Sequence, residues 1–211
     1  MPERHLNEAI ARRRQAALAG HNGDTTQARS FLADSDPNVR ATALGALNRC
    51  DALTKQELLN ATQDPDAIVR RRACTEASTW NGEVGDPIDD EVATALRTLL
   101  DDADDSVVEI AAWACGERPP ATKETITRLS EIATTHEDAL CRESAVAALG
   151  ALEDEAGVPA ILAATRDKAT VRRRAVIALA PFEGPEVEAA LQRALEDRDW
   201  QVRQAAEDLN P

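Results

Sequence analysis

Apolar residues recur along the chain with the spacing of one helix face. In DPNVRATALGAL (36–47) they fall at Val39, Ala43, Leu44 and Leu47, a set that lines one stripe of an α-helix. Asp36 and Pro37 open the stretch as a capping turn. PDAIVRRRACTEA, DDSVVEIAAWACG, EDALCRESAVAAL, DKATVRRRAVIAL and RDWQVRQAAEDLN repeat the pattern. Aligned, they set Arg40, Arg70, Arg142, Arg172 and Arg203 at one position, with Glu109 there in the third copy. The steps are 30, 39, 33, 30 and 31 residues. A second amphipathic segment precedes each copy, as in TKQELLNATQ and GVPAILAATR. The unit is thus helix A, an Asp-rich turn, then helix B, and a period near thirty signals stacked helical pairs. LNEAIARRRQAALAG adds one leading helix, so about 13 helices and no lasting strand are expected.

The turn and the start of helix B, D-x-D-P-x-V-R-x-x-A-x-x-A-L, resemble the HEAT-repeat consensus, in the short form also called PBS-lyase HEAT-like repeats. The resemblance spans about residues 22–209. It implies an all-α fold, a right-handed α-solenoid of about six two-helix repeats behind a leading helix. One repeat domain is expected over 1–211, with the leading helix at about 4–20. The repeats are expected at about 22–50, 51–80, 88–117, 121–152, 154–182 and 184–209. In the last copy Glu207 holds the slot filled by Leu44, Cys74, Trp113, Val146 and Val176 elsewhere. A charge there is expected to face water, as the outer face of a terminal repeat does.

Composition narrows the function. Aromatics are 2% of the chain, there is no Tyr, and the net charge is −14. Residues 1–100 carry 12 basic and 15 acidic side chains, residues 101–211 carry 12 and 23. Such a surface repels polyanions, which argues against a dedicated nucleic-acid partner. No apolar run approaches the ~18 residues that span a membrane. MPERHLNEAIARRR lacks the apolar core of a secretory signal. No membrane association, a cytoplasmic location and a monomer are the expectations.

No catalytic residue, metal ligand set or cofactor site stands out. Cys50, Cys74, Cys115 and Cys141 are never closer than 24 positions, which excludes metal-knuckle spacing. Cys74 takes the slot of Leu44 and Cys141 that of Val39, both core positions. The histidines are His5, His21 and His136, and only His136–Glu137 forms an HE pair. HEAT-like hydroxylases with a di-iron centre need several such pairs. Ten acidic side chains lie within 81–110, without the spacing of a calcium loop, and read as a solvated face.

The arginines remain. Arg40, Arg70, Arg142, Arg172 and Arg203 sit beside a buried residue, where each can reach the Asp-rich turn of a neighbouring unit. They form a candidate structural ladder, with a skip expected at Glu109. RRR occurs at 12–14, 70–72 and 172–174. At ~100° per residue, Arg71, Arg72, Arg173 and Arg174 point away from the core stripe, into the groove that B helices line in HEAT-like stacks. With Trp200, at the turn position of Pro37, they are the binding candidates. The expected function is a non-enzymatic scaffold that binds a partner protein or peptide in the concave groove. Two alternatives stay open. One is a nucleic-acid-binding relative of the HEAT-like alkylpurine DNA glycosylases, whose catalytic Trp/Asp arrangement has no match here. The other is a bilin-lyase-like protein, although no residue marks a chromophore site.

Overall fold

The computed structural model describes residues 2–81 and 91–209, with side chains from residue 7 onward. All of the insertion 81–90 except Asn81 lies outside them, including the acidic Glu83, Asp86, Asp89 and Asp90, and the His5 side chain is likewise not described. Thirteen α-helices and no strand occur among the described residues. No helix among them is long and apolar enough to cross a membrane.

The chain forms two compact units, Met1–Leu96 and Arg97–Pro211. The first holds α1 (Pro2–Asn22), α2 (Thr25–Ser30) with a 3-10 turn at Phe31–Ala33, α3 (Pro37–Arg49), α4 (Lys55–Thr62) and α5 (Ala67–Thr79). Helix α6 (Glu91–Leu99) runs across the division. The second unit holds α7 (Asp105–Gly116), α8 (Lys123–Thr135), α9 (Ala139–Leu152), α10 (Val158–Ala164), α11 (Ala169–Ala178), α12 (Pro185–Ala194) and α13 (Trp200–Leu209). Each unit is a stretch of α-solenoid, with B helices packed side by side. In the first unit α3 packs on α1 and α5; in the second, α9 packs on α7 and α11, and α11 on α13. The leading helix exceeds its expected limits by two residues at each end.

The D-x-D turn explains why helix B starts where it does. The second aspartate caps it: Asp36, Asp66, Asp104, Asp138 and Asp199 accept the N–H two residues on, at 2.8–3.0 Å. The first aspartate folds the turn: Asp34, Asp64, Asp102 and Asp197 accept the N–H of the capping residue at 2.8–2.9 Å. Each bond satisfies a backbone donor that the helix start leaves open.

Small residues then let the helices close up. A Cβ added at Gly150 would lie 2.7 Å from the Ala178 Cα, so α9 and α11 meet at backbone distance. Short side chains line these close contacts, such as Val176, Ala194, Val202, Ala205 and Ala206 at the end of the second unit, while leucines such as Leu149 and Leu179 fill the wider spaces of the core. Glu207 is exposed there.

The caps also correct one register. Asp104 caps α7, so the residue four past the cap, where other B helices carry arginine, is Val108 and not Glu109. Val108 is 2% exposed. The slot of Leu44 is eight past the cap, which makes it Ala112. Trp113 is one step beyond, half-buried rather than in the core.

Candidate functional site

The ladder arginines share one geometry. Arg40 donates from Nε and Nη2 to the two oxygens of Asp64 at 2.9 and 2.7 Å, while Nη1 reaches the Asp34 carbonyl of its own turn at 2.9 Å. Arg142 grips Asp167 at 2.6 and 2.9 Å and the His136 carbonyl at 2.7 Å. Arg172 grips Asp197 at 2.8 and 2.7 Å and the Asp167 carbonyl at 2.8 Å. Two parallel bonds to one carboxylate make the strong form of the pair. Arg70 and Arg203 hold the carbonyls of Asp64 and Asp197 in the same way, at 2.9 and 2.6 Å.

Sequence reasoning left Arg12 without a role, yet it adds a rung. Its Nε and Nη2 donate to Asp34 at 2.7 and 3.1 Å. The signal was present: Arg12 precedes Asp34 by 22 residues, near the 24 and 25 of the other pairs.

These bonds set the charge states. The hydrogen bond from Arg142 holds the Asp167 carboxyl below the usual carboxylate range, and that from Arg172 does the same for Asp197. At Asp64 burial pushes upward, but the bonds from Arg40 and the Asp66 N–H prevail and lower it. The same bonds raise the arginines, against some desolvation.

In the third repeat both halves of the rung are replaced. Val108 stands where the arginine would be. In the following turn His136 replaces the aspartate, its Nδ1 accepting the Asp138 N–H at 3.1 Å. Its Nε2 lies 3.8 Å from Asp105.

The four groove arginines do not form two like islands. Arg72 turns back along α5 to pair with Glu76, and its guanidinium lies over Gly45 of α3. Glu76 is buried and also accepts from Asn48 Nδ2 at 2.7 Å. Arg72 is therefore engaged in the packing of α3 on α5, against its expected role in the groove. Arg174 lies 3.5 Å from Glu143 of α9. Arg71 and Arg173 are exposed.

Arg173 and Trp200 come together. A cleft of about 310 Å³ between α11 and α13 is lined by Arg173, Ile177, Trp200, Gln204, Asp208 and Leu209, among others. Trp200 is 65% exposed. Of the other tryptophans, Trp80 is buried and donates from Nε1 to the Leu53 carbonyl at 2.9 Å.

Elsewhere the chemistry is quiet. Cys74, Cys115 and Cys141 are buried, and Cys50 is half-buried. Burial pushes the thiols of Cys115 and Cys141 up to about 12, far from the thiolate that reacts. Among the described residues no three His, Cys, Asp or Glu side chains gather as a metal-ion site would require.

The chain matches the family profile of HEAT repeats over residues 25–116 and 55–150. The profile of the PBS lyase HEAT-like repeat matches residues 142–167 and 171–197. No curated protein matches. Among solved structures, the Escherichia coli protein YibA is similar at 18% identity, covering 86% of this chain and 67% of that one, with TM-score 0.64. An engineered protein is similar at 21% identity, covering 88% and 96%, with TM-score 0.65. A designed armadillo repeat protein in complex with the peptide (KR)4 is similar at 18% identity, covering 87% and 97%, with TM-score 0.60. These likenesses are of fold.

Proposed function

Since the protein belongs to the HEAT-repeat family, we propose that it is a non-enzymatic scaffold that binds a partner protein or peptide on its B-helix face. One observation carries this reading. The arginines that tie one repeat to the next are spent on turn carboxylates and carbonyls. The B helices meanwhile turn a separate row of side chains outward in each unit: Arg71 and Thr75 on α5, Arg173 and Ile177 on α11, Gln204 and Asp208 on α13. Folding leaves these positions free for recognition, as solenoids of this kind use them. A nucleic-acid partner fits less well, because two of the four expected groove cations lie beside carboxylates, Glu76 and Glu143.

Photocrosslinking in the native host tests the reading. The photoreactive residue p-benzoylphenylalanine is placed at Thr75, Ser144 or Gln204 on the B face, and at Thr127 on helix A as a control. Protein adducts at B-face positions and none at Thr127 are expected. Adducts confined to Thr127, or none anywhere, would defeat the proposal.

A further inference from the structure

We propose that the cleft between α11 and α13 is an anchor site for a protein segment carrying an apolar side chain beside a carboxylate. The proposal rests on the scaffold reading and gives the second unit its point of contact.

Three observations converge on the cleft. The first is wasted apolar area. Trp200 and Ile177 are 65% and 38% exposed on opposite walls. Covering an indole removes apolar surface from water, a gain that folding does not take here. Trp and Arg around a small pocket are also the residues that dominate protein interfaces.

The second is an unspent cation. Arg172 grips Asp197, and Arg174 lies beside Glu143. Arg173, between them, has no carboxylate partner among the described residues and lines the cleft. Asp208, also in the lining, accepts from Gln204 Nε2 at 2.9 Å, one turn away on its own helix. Residues 101–211 carry 12 basic and 23 acidic side chains, so a basic segment would find attraction along much of this unit. At the cleft it would meet Arg173. On the α11 wall, where Arg173 stands, the local chemistry therefore favours a carboxylate, against the sign of the unit as a whole.

The third is size and continuity. A volume of about 310 Å³ is at the small end of ligand clefts, suited to one leucine or phenylalanine side chain. Ile177 lies nine residues past the start of α11 as counted from its cap. The same position is Ala147 on α9 and Trp113 on α7, both half-buried. An extended chain anchored at Trp200 thus meets further apolar positions on the neighbouring helices of the unit.

Fluorescence anisotropy with the full chain tests the site. The probe is a fluorescein-labelled nonapeptide that alternates Asp with Phe and Leu; one counterpart has Asn for Asp, another has Lys. The Asp peptide should bind at least ~5-fold tighter than the Asn peptide, and the Lys peptide should not exceed either. Trp200→Ala and Arg173→Gln should each weaken the Asp peptide at least ~5-fold, on the scale of interface anchors. Arg173→Gln should also erase the preference for Asp over Asn, which general loss of packing would not do. Thr127→Ala, on helix A, should change nothing. Tightest binding by the Lys peptide, indifference to Trp200→Ala, or no binding of any peptide overturns the proposal. Crosslinks at Thr75 and Ser144 without one at Gln204 would sink the cleft and leave the scaffold standing. Crosslinks at none of the three would sink both.

Discussion

The arginine triplets 70–72 and 172–174 occupy the same places on α5 and α11, yet their third members do different things. Arg72 folds over Gly45 to reach Glu76. Arg174 stands beside Glu143 instead. The cause lies on the neighbouring helices. A Cβ at Gly45 would sit 1.7 Å from Arg72 Nη2, so glycine is what admits the guanidinium. The corresponding residue facing Arg174 is Ala147, whose methyl occupies that space, and the place of Glu76 is taken by Ala178. Conversely, Glu143 stands where α3 has Ala41. A motif of three identical letters acquires its role from residues some thirty positions away.

Breaking a rung of the ladder should have the largest effect. Arg172 is 6% exposed. Arg172→Ala strips Asp197 of both bonds and should cost about 2–3 kcal/mol in urea unfolding. Arg173→Ala, one residue on, should cost less than ~0.5 kcal/mol, as at ordinary surface sites. Equal losses for the two would erase the division between tied and free arginines.

The contrast between triplets is sharpened by their third members. Arg72→Ala leaves the buried Glu76 carboxylate with the Asn48 amide alone among the described residues and should cost about 1–2 kcal/mol. Arg174→Ala removes a partly exposed pair and should cost about 0.5 kcal/mol or less. The reverse order in thermal melts would mean that Gly45 does not decide the matter.

Gly45 can be examined directly. Alanine is favoured over glycine inside a helix by up to ~1 kcal/mol. Gly45→Ala should realise that gain in the Arg72→Ala background. In the natural background it should lose about 1 kcal/mol of it by expelling the guanidinium. The double-mutant cycle measures the difference, and additivity would refute the coupling.

The smallest expected effect is a single carboxylate's share of the acid response. Asp197 is held below its ordinary value in the folded chain. Its stabilisation is therefore present above about pH 4 and is lost as pH falls through the lower folded value. Asp197→Asn should be less stable at neutral pH, and its melting temperature should fall less steeply on acidification. An unchanged slope would show that Asp197 does not couple protonation to folding.

Much of the fold was legible because period, cap and stripe agree in most copies, although α11 starts at Lys168 without a side-chain cap. The turn aspartates announce the helix starts by themselves. The third copy misled because two adjacent valines, Val107 and Val108, both suit the buried stripe. Setting Val108 in the slot of Val39 put Glu109 in the arginine position, and the hydrogen bond from Ser106 N–H to Asp104 fixes the register one residue earlier. Trp113 moved out of the core with that correction. At the candidate site, Arg173 and Trp200 could each be singled out from the sequence. Their meeting across one cleft depends on how α11 lies against α13, which no local pattern encodes. The fate of Arg72 depends on a missing methyl on another helix.

Every ordinary rung offers the same two halves, an arginine fork on one repeat and a turn carboxylate on the next. Repeats built on it are interchangeable parts: one could be duplicated or excised whole, and the new neighbours would find familiar partners. The junction between α7 and α9 does not obey this. An arginine arriving opposite His136 would meet an imidazole, and an aspartate arriving opposite Val108 would meet a methyl group. That joint is keyed: cutting the array between these two repeats would leave each half facing a partner that the ordinary rung does not supply.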